Sequence, residues 1–281
     1  MKIGFIGAGK VGFSLGKYFA EKGVNLSGYY SRDPVSSKAA AEFTSSVWYS
    51  EVSELISDSD TIFLTVPDAE IFRVYSEIKT MNIAGRQLCH CSGAMTAADA
   101  FPDISAYSAQ GFSIHPLFPV SSRYEAYKQL GDAFFCIEGD DAGAVTWTEF
   151  FTALGNRTRI ISPKNKKQYH AACAVSSNLV CGLISMSVSL LQNCGFSDGE
   201  ALCALKPLAE SNIGNIFSQG LPDALTGAVE RCDVKTVEEH IRCFDSEDDR
   251  QIYKSLSLKL TRLAEIRHPE IDYSEMYRIL R

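Results

Sequence analysis

The chain opens on an apolar segment that runs directly into three closely spaced glycines. Lys2 to Ile6 has the composition of a buried strand, and Gly7, Gly9 and Gly12 follow in the pattern G-x-G-x-x-G. Gly7 permits a tight turn, Gly9 lets the backbone approach a diphosphate, and Gly12 lets the next helix pack closely on the sheet. A helical pattern from Lys10 to Lys22 then offers unpaired N–H groups to that diphosphate. The segment therefore predicts a strand–turn–helix unit that binds a dinucleotide.

The second strand-like segment, Asn25 to Tyr30, ends on a serine and an arginine. Sites for NAD place an acid about 20 residues after the glycines, where it binds the ribose 2′-hydroxyl. Arg32 instead offers paired N–H donors to a phosphate, Ser31 offers a hydroxyl, and Lys38 adds positive charge. The sequence therefore predicts NADP as the cofactor. The alternative is that Arg32 is an ordinary surface arginine and that Asp33 binds the ribose.

The composition excludes several other classes of protein. The chain has 281 residues, 46% of them apolar, and a net charge of −7 with no basic block, which argues against nucleic acid as a partner. A strand that begins at residue 2 leaves no room for a signal peptide, and the apolar run Leu179 to Leu191 is broken by serines, so neither export nor a membrane span is expected. The nine cysteines form no C-x-x-C pair, so we predict small buried thiols, no metal site and a cytoplasmic location.

Residues 1–162 alternate short apolar runs with helical patterns, whereas residues 163–281 contain helical patterns alone. The fold class predicted is α/β: a doubly wound, mostly parallel Rossmann sheet followed by an all-helical C-terminal domain. Ligands of such sheets bind beyond the carboxyl ends of the strands. Val66 and Pro67, His90 to Gly93, and His115 all fall at such ends and are candidates for the wall of a cleft.

The segment Lys164 to Asn193 is predicted to be one long helix that is apolar around most of its circumference. So small a domain would not cover this helix alone, and we predict a homodimer that forms through the helical domain. A capping box at Ser197 to Glu200 marks the start of the next helix.

Polar residues interrupt the apolar surface of that predicted helix. His170 and Ser177 share one face, Asn178 lies at its edge, and two lysines, Lys166 and Lys167, precede His170. Such groups need partners when buried, and a polar cleft would supply them. The alternative is an interdomain hydrogen-bond network without a catalytic role.

Two further groups have competing interpretations. Ser92 either binds a substrate oxygen or caps the helix that starts near Thr96, and His90 is interpreted as a core residue. His115, held extended by the proline that follows it, is either functional or a structural loop histidine.

Several short motifs together resemble one family. The chain is similar to bacterial Rossmann-like oxidoreductases with a helical C-terminal domain of unknown function, distant relatives of pyrroline-5-carboxylate reductase, ketopantoate reductase and 6-phosphogluconate dehydrogenase. The motifs are Gly7-x-Gly9-x-x-Gly12, Val66-Pro67-Asp68-x-x-Ile71, His90-x-Ser92-Gly93, Ser113-x-His115-Pro116-Leu117, Tyr169-His170-Ala171-Ala172 with Ser177-Asn178, and Leu225-Thr226-Gly227 to Arg231-x-Asp233.

The resemblance implies an NADP-binding domain, a helical dimerisation domain and an active site in the cleft between them. The chain departs from these relatives in two places. The lysine and asparagine that lie one turn apart in the 6-phosphogluconate dehydrogenase group are absent, because Lys167 precedes Asn178 by far more than a turn. Ala228 and Cys232 stand where proline and glycine are expected, which puts a tight turn there in doubt.

The leading hypothesis is an NADP-dependent oxidoreductase that acts on a small carbonyl, imine or hydroxy acid. His170 or Lys167 would transfer the proton, with His115 as a further candidate, and Ser92 and Asn178 would orient the substrate. The alternatives are a cofactor-binding sensor or scaffold without turnover, and an enzyme similar to prephenate dehydrogenase. The predicted cofactor contacts are Gly7, Ala8, Gly9, Lys10, Val11, Gly12, Ser31, Arg32, Val66 and Pro67.

Overall fold

The structure, a computed structural model, describes all 281 residues and contains eight strands and thirteen α-helices. The strands are β1 (Ile3–Ile6), β2 (Leu26–Tyr30), β3 (Val47–Trp48), β4 (Thr61–Leu64), β5 (Gln87–His90), β6 (Gln110–Leu117), β7 (Phe134–Gly139) and β8 (Arg157–Ile160). The helices are α1 (Lys10–Glu21), α2 (Pro34–Thr44), α3 (Val52–Ser57), α4 (Asp68–Ile78), α5 (Ala97–Ala100), α6 (Asp141–Ala153), α7 (Lys166–Ser176), α8 (Asn178–Asn193), α9 (Asp198–Gln219), α10 (Leu221–Ala224), α11 (Val234–Arg242), α12 (Glu247–Arg267) and α13 (Ser274–Leu280).

The strands form one sheet in the order β3-β2-β1-β4-β5-β6-β7-β8. Every neighbouring pair is parallel except β6 and β7, which are antiparallel. The order reverses direction between β1 and β4, which is the point where doubly wound sheets bind their ligands. The predicted Rossmann sheet is thus confirmed.

Apolar side chains of the central strands alternate between the two faces of the sheet. Phe63 of β4 packs among the aromatic rings of α1 and α6, whereas its neighbours Ile62 and Leu64 belong to a second cluster, on the α3 and α4 side. Because both faces are covered, β4 is buried throughout, as its unbroken apolar sequence predicts.

The chain divides into two compact units, Met1–Ser177 and Asn178–Arg281. The first unit extends past residue 162, where the sequence predicts the domain boundary. The cause is α7, whose Lys166 is fully buried and bonded to Ser113 of β6, so this helix belongs to the sheet unit. The second unit is all-helical and has a small core of its own around Val237 and Met276.

The prediction of a single long helix from Lys164 to Asn193 is wrong, because the helix breaks at Ser177 (φ −126°, ψ −78°). The helical stretch Pro163–Asn193 is long and apolar enough to cross a membrane by length and composition alone. Its first part is fixed to the sheet unit, and the remaining 16 residues of α8 span about 24 Å, which is less than the roughly 30 Å of a bilayer core.

Two local expectations are corrected and one is confirmed. The capping box at Ser197 and Glu200 starts α9 as predicted. The turn that was in doubt does form, with Cys232 in the left-handed region (φ +56°). The cysteines are free thiols, and only Cys89 and Cys136 are buried, so the prediction that most are buried is wrong.

Candidate active site

Four neighbouring strands bring the predicted site residues to one edge of the sheet. The carboxyl ends of β1, β4, β5 and β6 lie side by side, and the segments that follow them begin with Gly7, Thr65, Cys91 and Phe118. Adjacent strands are about 4.8 Å apart, so the end of β6 lies on the order of 14 Å from that of β1. This edge therefore has room for an extended ligand.

A groove of about 270 Å³ lies at the β1 and β2 end of that edge. A Cβ at Gly7, where φ is +105°, would lie 2.8 Å from the Thr65 carbonyl oxygen, and a Cβ at Gly12 would lie 2.6 Å from the Thr65 hydroxyl oxygen. At Gly9, by contrast, the nearest atom to a Cβ is 3.8 Å away, so packing within the protein does not require glycine there. A Cβ at Gly9 would occupy space that a diphosphate needs, and the groove therefore fits a dinucleotide.

Helix α1 begins at this groove without a side-chain cap, and its first turn carries no acid. The N–H groups of Lys10 and Val11 therefore remain available for a diphosphate. The other predicted contacts, Ala8, Ser31, Arg32, Val66 and Pro67, all line the groove.

The residues that follow β2 have different roles: Asp33 caps a helix, whereas Arg32 is exposed at the groove. Asp33 caps α2 by accepting hydrogen bonds from the Val35 N–H and the Ser36 hydroxyl, and the Ser36 bond holds the pKa of Asp33 below its usual value. Arg32 projects into solvent and contacts Glu70 at 2.9 Å. Lys38 lies over the ring of Trp48 and does not line the groove, so its predicted contribution is not supported.

A buried lysine lies under the β5 and β6 end of the edge. Lys166, at the start of α7, is 0% exposed and donates to the Ser113 hydroxyl, which in turn donates to the carbonyl of Ser92. Ser113 pairs with Glu138 across the antiparallel strands, so both side chains lie on one face of the sheet. Burial lowers the pKa of Lys166, and burial raises the pKa of Glu138.

His115 and Tyr169 form a hydrogen-bonded pair beside that lysine. The His115 Nδ1 atom lies 2.6 Å from the Tyr169 hydroxyl, and the two rings meet edge to face. Burial, together with the positive charge of Lys166, lowers the pKa of His115 to about 4. Burial also raises the pKa of Tyr169. At neutral pH the pair is therefore an uncharged imidazole bonded to an uncharged phenol.

Gly93 leaves the space into which two histidines converge. A Cβ at this position would lie 2.9 Å from His115 Nε2 and 2.7 Å from His170 Cδ2. The structure thus brings together His115 and His170, two of the predicted catalytic residues, at the end of β5. His170 is exposed, whereas His115 is largely enclosed.

Ser92 is placed at the same end, but its hydroxyl has no bond left for a substrate. It donates to Asp68 at 2.5 Å and accepts from the N–H groups of Ala94 and Met95, which uses its donor and both lone pairs. Ser92 therefore links α4 to the segment after β5, and its predicted contact with substrate stays a prediction that these bonds do not favour. The alternative prediction, that Ser92 caps the next helix, is wrong, because Thr96 caps α5 through a capping box with Asp99.

His90 is fully buried, as predicted for a core residue, but its bonds are incomplete. Its Nδ1 accepts from the Ser92 N–H at 3.1 Å, and its Nε2 has no partner. Burial, together with the charge of Lys166, lowers the pKa of His90 to about 3. The ring is therefore neutral.

The two remaining candidates do not join this cluster. Lys167 is exposed, and the buried lysine is its neighbour Lys166. The i, i+4 spacing of Lys166 and His170 was the available signal, because it places both on one helix face. Asn178 starts α8 in the second unit, and Ser177 is the break between the helices, so the predicted continuous stripe is wrong.

Fold and groove together define the class: a dinucleotide-binding unit followed by a helical unit. Residues 2–88 match the family described as NADP oxidoreductase coenzyme F420-dependent, and residues 133–260 match a domain of unknown function, DUF2520. The matches therefore assign one segment of the chain to the NADP oxidoreductases and another to DUF2520, which confirms the predicted resemblance. This assignment also confirms NADP as the cofactor, for which the groove residues named above are the ligands available.

Solved structures share this architecture. A protein from Thermotoga maritima is 26% identical, with a TM-score of 0.73 over 95% of this chain and 99% of that chain. A protein from Bacteroides fragilis that is described as an NADP oxidoreductase is 17% identical, with a TM-score of 0.67 over 93% and 98%. A reductive aminase from Aspergillus terreus, in complex with NADPH and ethyl-5-oxohexanoate, is 14% identical, with a TM-score of 0.63 over 100% and 99%. No curated protein matches the chain at a significant level.

Proposed function

We propose that this protein reduces a small molecule that contains a C=O or C=N bond, with NADPH as the source of hydride. The observation that carries the proposal is the convergence of His115 and His170 at Gly93, on the sheet edge that also carries the NADP groove. The A. terreus reductive aminase, in complex with NADPH, and an imine reductase from Pseudomonas sp. share the fold, which favours these bonds over other substrates.

Reduction of such a bond needs two transfers. NADPH, when bound, supplies a hydride to the carbon, and the electron pair of the π bond moves to the oxygen or nitrogen. That atom then takes a proton, so the protein must provide a hydrogen-bond donor and an acid near it.

His115 provides the donor in this proposal. With the Tyr169 hydroxyl donating to Nδ1, the single ring proton of neutral His115 lies on Nε2, the atom beside Gly93. A neutral imidazole N–H polarises a carbonyl without an added positive charge. Lys166 has a positioning role, because its charge adds to the effect of burial in lowering the pKa of His115 and its bond to Ser113 anchors α7 against β6.

His170 provides the proton. It is the exposed member of the pair, so solvent can restore its proton after each turnover. Lys167, the other predicted donor, is exposed and is not among the side chains nearest a Cβ at Gly93, so it is not proposed for this role.

The test has a binding arm and a turnover arm. NADPH and NADH are titrated by nicotinamide fluorescence. NADPH oxidation is then followed with ketones, cyclic imines, and ketone and amine pairs, and NADP+ reduction is followed with hydroxy acids and prephenate. We expect tighter binding of NADPH, and turnover of a ketone or imine that falls at least tenfold in His170→Gln. Equal binding of the two cofactors would contradict the cofactor assignment. NADPH binding without turnover of any compound would favour a sensor or scaffold. Turnover of prephenate would favour an enzyme similar to prephenate dehydrogenase.

We propose also that the helical unit forms a homodimer. Helix α8 has no buried residue, and α9 has one among 22. Their exposed side chains include Phe217, at 87% exposure, and Leu208, at 70%. A second copy of the same helices is the partner of matching apolar character. Large exposed apolar faces mark interaction sites in soluble proteins. The cytoplasmic location of the protein stays a prediction.

Sedimentation velocity tests the dimer. Phe217→Glu and Leu208→Glu should shift the protein from dimer to monomer, because each buries a charge at the interface. Val145→Glu, a comparable substitution at a half-exposed valine of the sheet unit, is the control. A wild-type protein that sediments as a monomer at all concentrations would contradict the proposal.

A further inference from the structure

A third arginine reaches the cofactor groove from a segment far away in sequence. Arg32 and Arg73 line the groove from the elements after β2 and β4, and Arg123 lines it from the connection between β6 and β7. No sequence motif marks Arg123.

The segment that carries Arg123 is fixed against α1 and α2. The carbonyl of Ser122 accepts a hydrogen bond from Ser14 of α1 at 3.1 Å. Tyr124 meets the rings of Phe13 and Phe43 edge to face, at 5.4 Å and 5.2 Å between centroids. The Arg123 guanidinium lies over the Phe13 ring, with Cζ 5.3 Å from its centre. Arg123 is therefore held above the start of the helix that follows the glycine fingerprint.

The three arginines differ in their partners. Arg73 lies between Glu70 and Glu77, and Arg32 is paired with Glu70. Arg123 forms no ion pair within 4.0 Å, although its charge is close enough to lower the pKa of Asp33 further. Asp33 is itself occupied as the cap of α2. Arg123 is thus the unpaired cation of the groove, beside Ser31, Arg32 and Ser36.

We propose that Arg123 is a second ligand of the 2′-phosphate of NADP, acting with Arg32. A phosphate monoester carries a charge of about −1.5 to −2 at neutral pH, which one arginine does not neutralise. Asp33 adds a negative charge nearby that repels the phosphate. A second guanidinium is therefore needed for the site to bind the 2′-phosphate of NADP more tightly than the 2′-hydroxyl of NAD. The adenosine end of the site is then built from two segments, after β2 and after β6. This inference rests on the NADP-dependent function proposed above.

The test measures binding rather than turnover. Dissociation constants of NADPH, NADH, 2′,5′-ADP and 5′-AMP are determined by titration calorimetry for the full chain and for Arg123→Met, which keeps an unbranched side chain over Phe13. We expect Arg123→Met to weaken NADPH and 2′,5′-ADP about ten- to hundredfold, and NADH and 5′-AMP by less than about threefold. Arg123→Lys should keep part of the selectivity, because it retains the charge but loses the paired donors.

Arg157 supplies a matched control. It is also an exposed arginine over a phenylalanine ring, 6.0 Å from the centre of Phe134, but it lies on β8, at the edge of the sheet opposite β2 and β3. Arg157→Met should leave all four constants unchanged. If Arg123→Met weakens all four ligands equally, Arg123 only holds the loop, and the inference is wrong. If it weakens none, the inference is equally wrong. A wild-type protein that does not prefer NADPH to NADH would instead refute the proposed function itself.

Discussion

The two ends of the ligand-binding edge hold their charged groups in opposite ways. At the β2 end, Arg32 has a side chain that is 69% exposed and paired with Glu70. At the β5 and β6 end, His90 and Lys166 are completely buried. Exposed ion pairs are weak and exchange partners easily, so the first end suits the recognition of a charged ligand. Burial fixes protonation states, so the second end suits chemistry.

The largest effect on turnover is expected from a substitution at Gly93, at the β5 and β6 end. Gly93→Ala places a Cβ between His115 and His170, 2.9 Å and 2.7 Å from their rings. Both rings must move, and displacements of this size near reacting atoms cost about a hundredfold in turnover. We expect NADPH affinity to change less than about threefold, since the groove contacts remain. Steady-state kinetics and fluorescence titration give the two quantities.

Gly131→Ala is the control for this substitution, because no atom lies within 4 Å of a Cβ there. It should behave as wild type. If Gly93→Ala retains full turnover, the convergence of the two histidines has no part in the reaction. The assignment of the chemistry to the β5 and β6 end would then be wrong.

The second prediction separates the buried lysine from its exposed neighbour. Lys166→Met removes a charge that, after burial, lowers the pKa of His90 and His115, so both pKa values should rise. Turnover should fall about tenfold, because α7, which carries Tyr169 and His170, loses the bond from Lys166 to Ser113 that anchors it against β6. NMR titration of the imidazole protons follows the pKa values directly.

Lys167→Met provides the comparison, since Lys167 is exposed. Its solvent-screened charge should leave the imidazole titrations and the turnover as in the wild type. Equal effects of the two substitutions would show that the buried position of Lys166 is irrelevant.

The third prediction concerns stability at acid pH. His90 has a pKa of about 3 in the folded protein, well below the usual value near 6.5 in an unfolded chain. Between these values the unfolded chain binds a proton that the folded protein does not bind, so the free energy of unfolding falls as the pH falls. The slope from this one group is at most about 1.4 kcal/mol per pH unit. His90→Asn should reduce the slope between pH 6.5 and 4 by about that amount in urea unfolding experiments.

Other groups titrate in the same range, and they explain why the variant must be compared with wild type. Lys166 and His115 oppose protonation of His90, whereas Asp99 favours it. The pKa of Glu138 is raised, so protonation of Glu138 stabilises the folded protein as the pH falls and works against the effect of His90. His240→Asn is the control, because that imidazole reaches solvent. An unchanged slope in His90→Asn would mean that His90 titrates alike in both states.

The same comparison explains what the sequence alone could predict. The β2 end follows from local spacing: the glycines, Ser31 and Arg32 lie within one strand–helix–strand unit, and their placement needs no distant contact. The sheet follows for the same reason, because buried parallel strands have unbroken apolar sequences.

The buried end depends on contacts between distant segments. Choosing Lys166 over Lys167 requires the rotation of α7 on the sheet, and the His115–Tyr169 bond joins residues 54 positions apart. Ser92 has suitable chemistry for a substrate contact, but its three bonds become known only with Asp68 in place. Arg123 is still less predictable, since the loop that carries it has no periodic pattern.

The smallest effect is expected at the exposed end, where Glu70 competes with the cofactor for Arg32. Glu70→Gln removes the carboxylate that pairs with both Arg32 and Arg73, and so it frees Arg32 for the 2′-phosphate. An exposed pair contributes about 0.2–1 kcal/mol, so NADPH should bind about 1.4- to fivefold more tightly while NADH is unchanged. Glu77→Gln, which affects only Arg73, is the control. Because both groups are exposed, the gain should shrink as salt is raised from about 0.01 to 1 M, where screening shortens from about 30 to 3 Å. Weaker NADPH binding in Glu70→Gln would mean that Glu70 orients Arg32 toward the phosphate instead of withholding it.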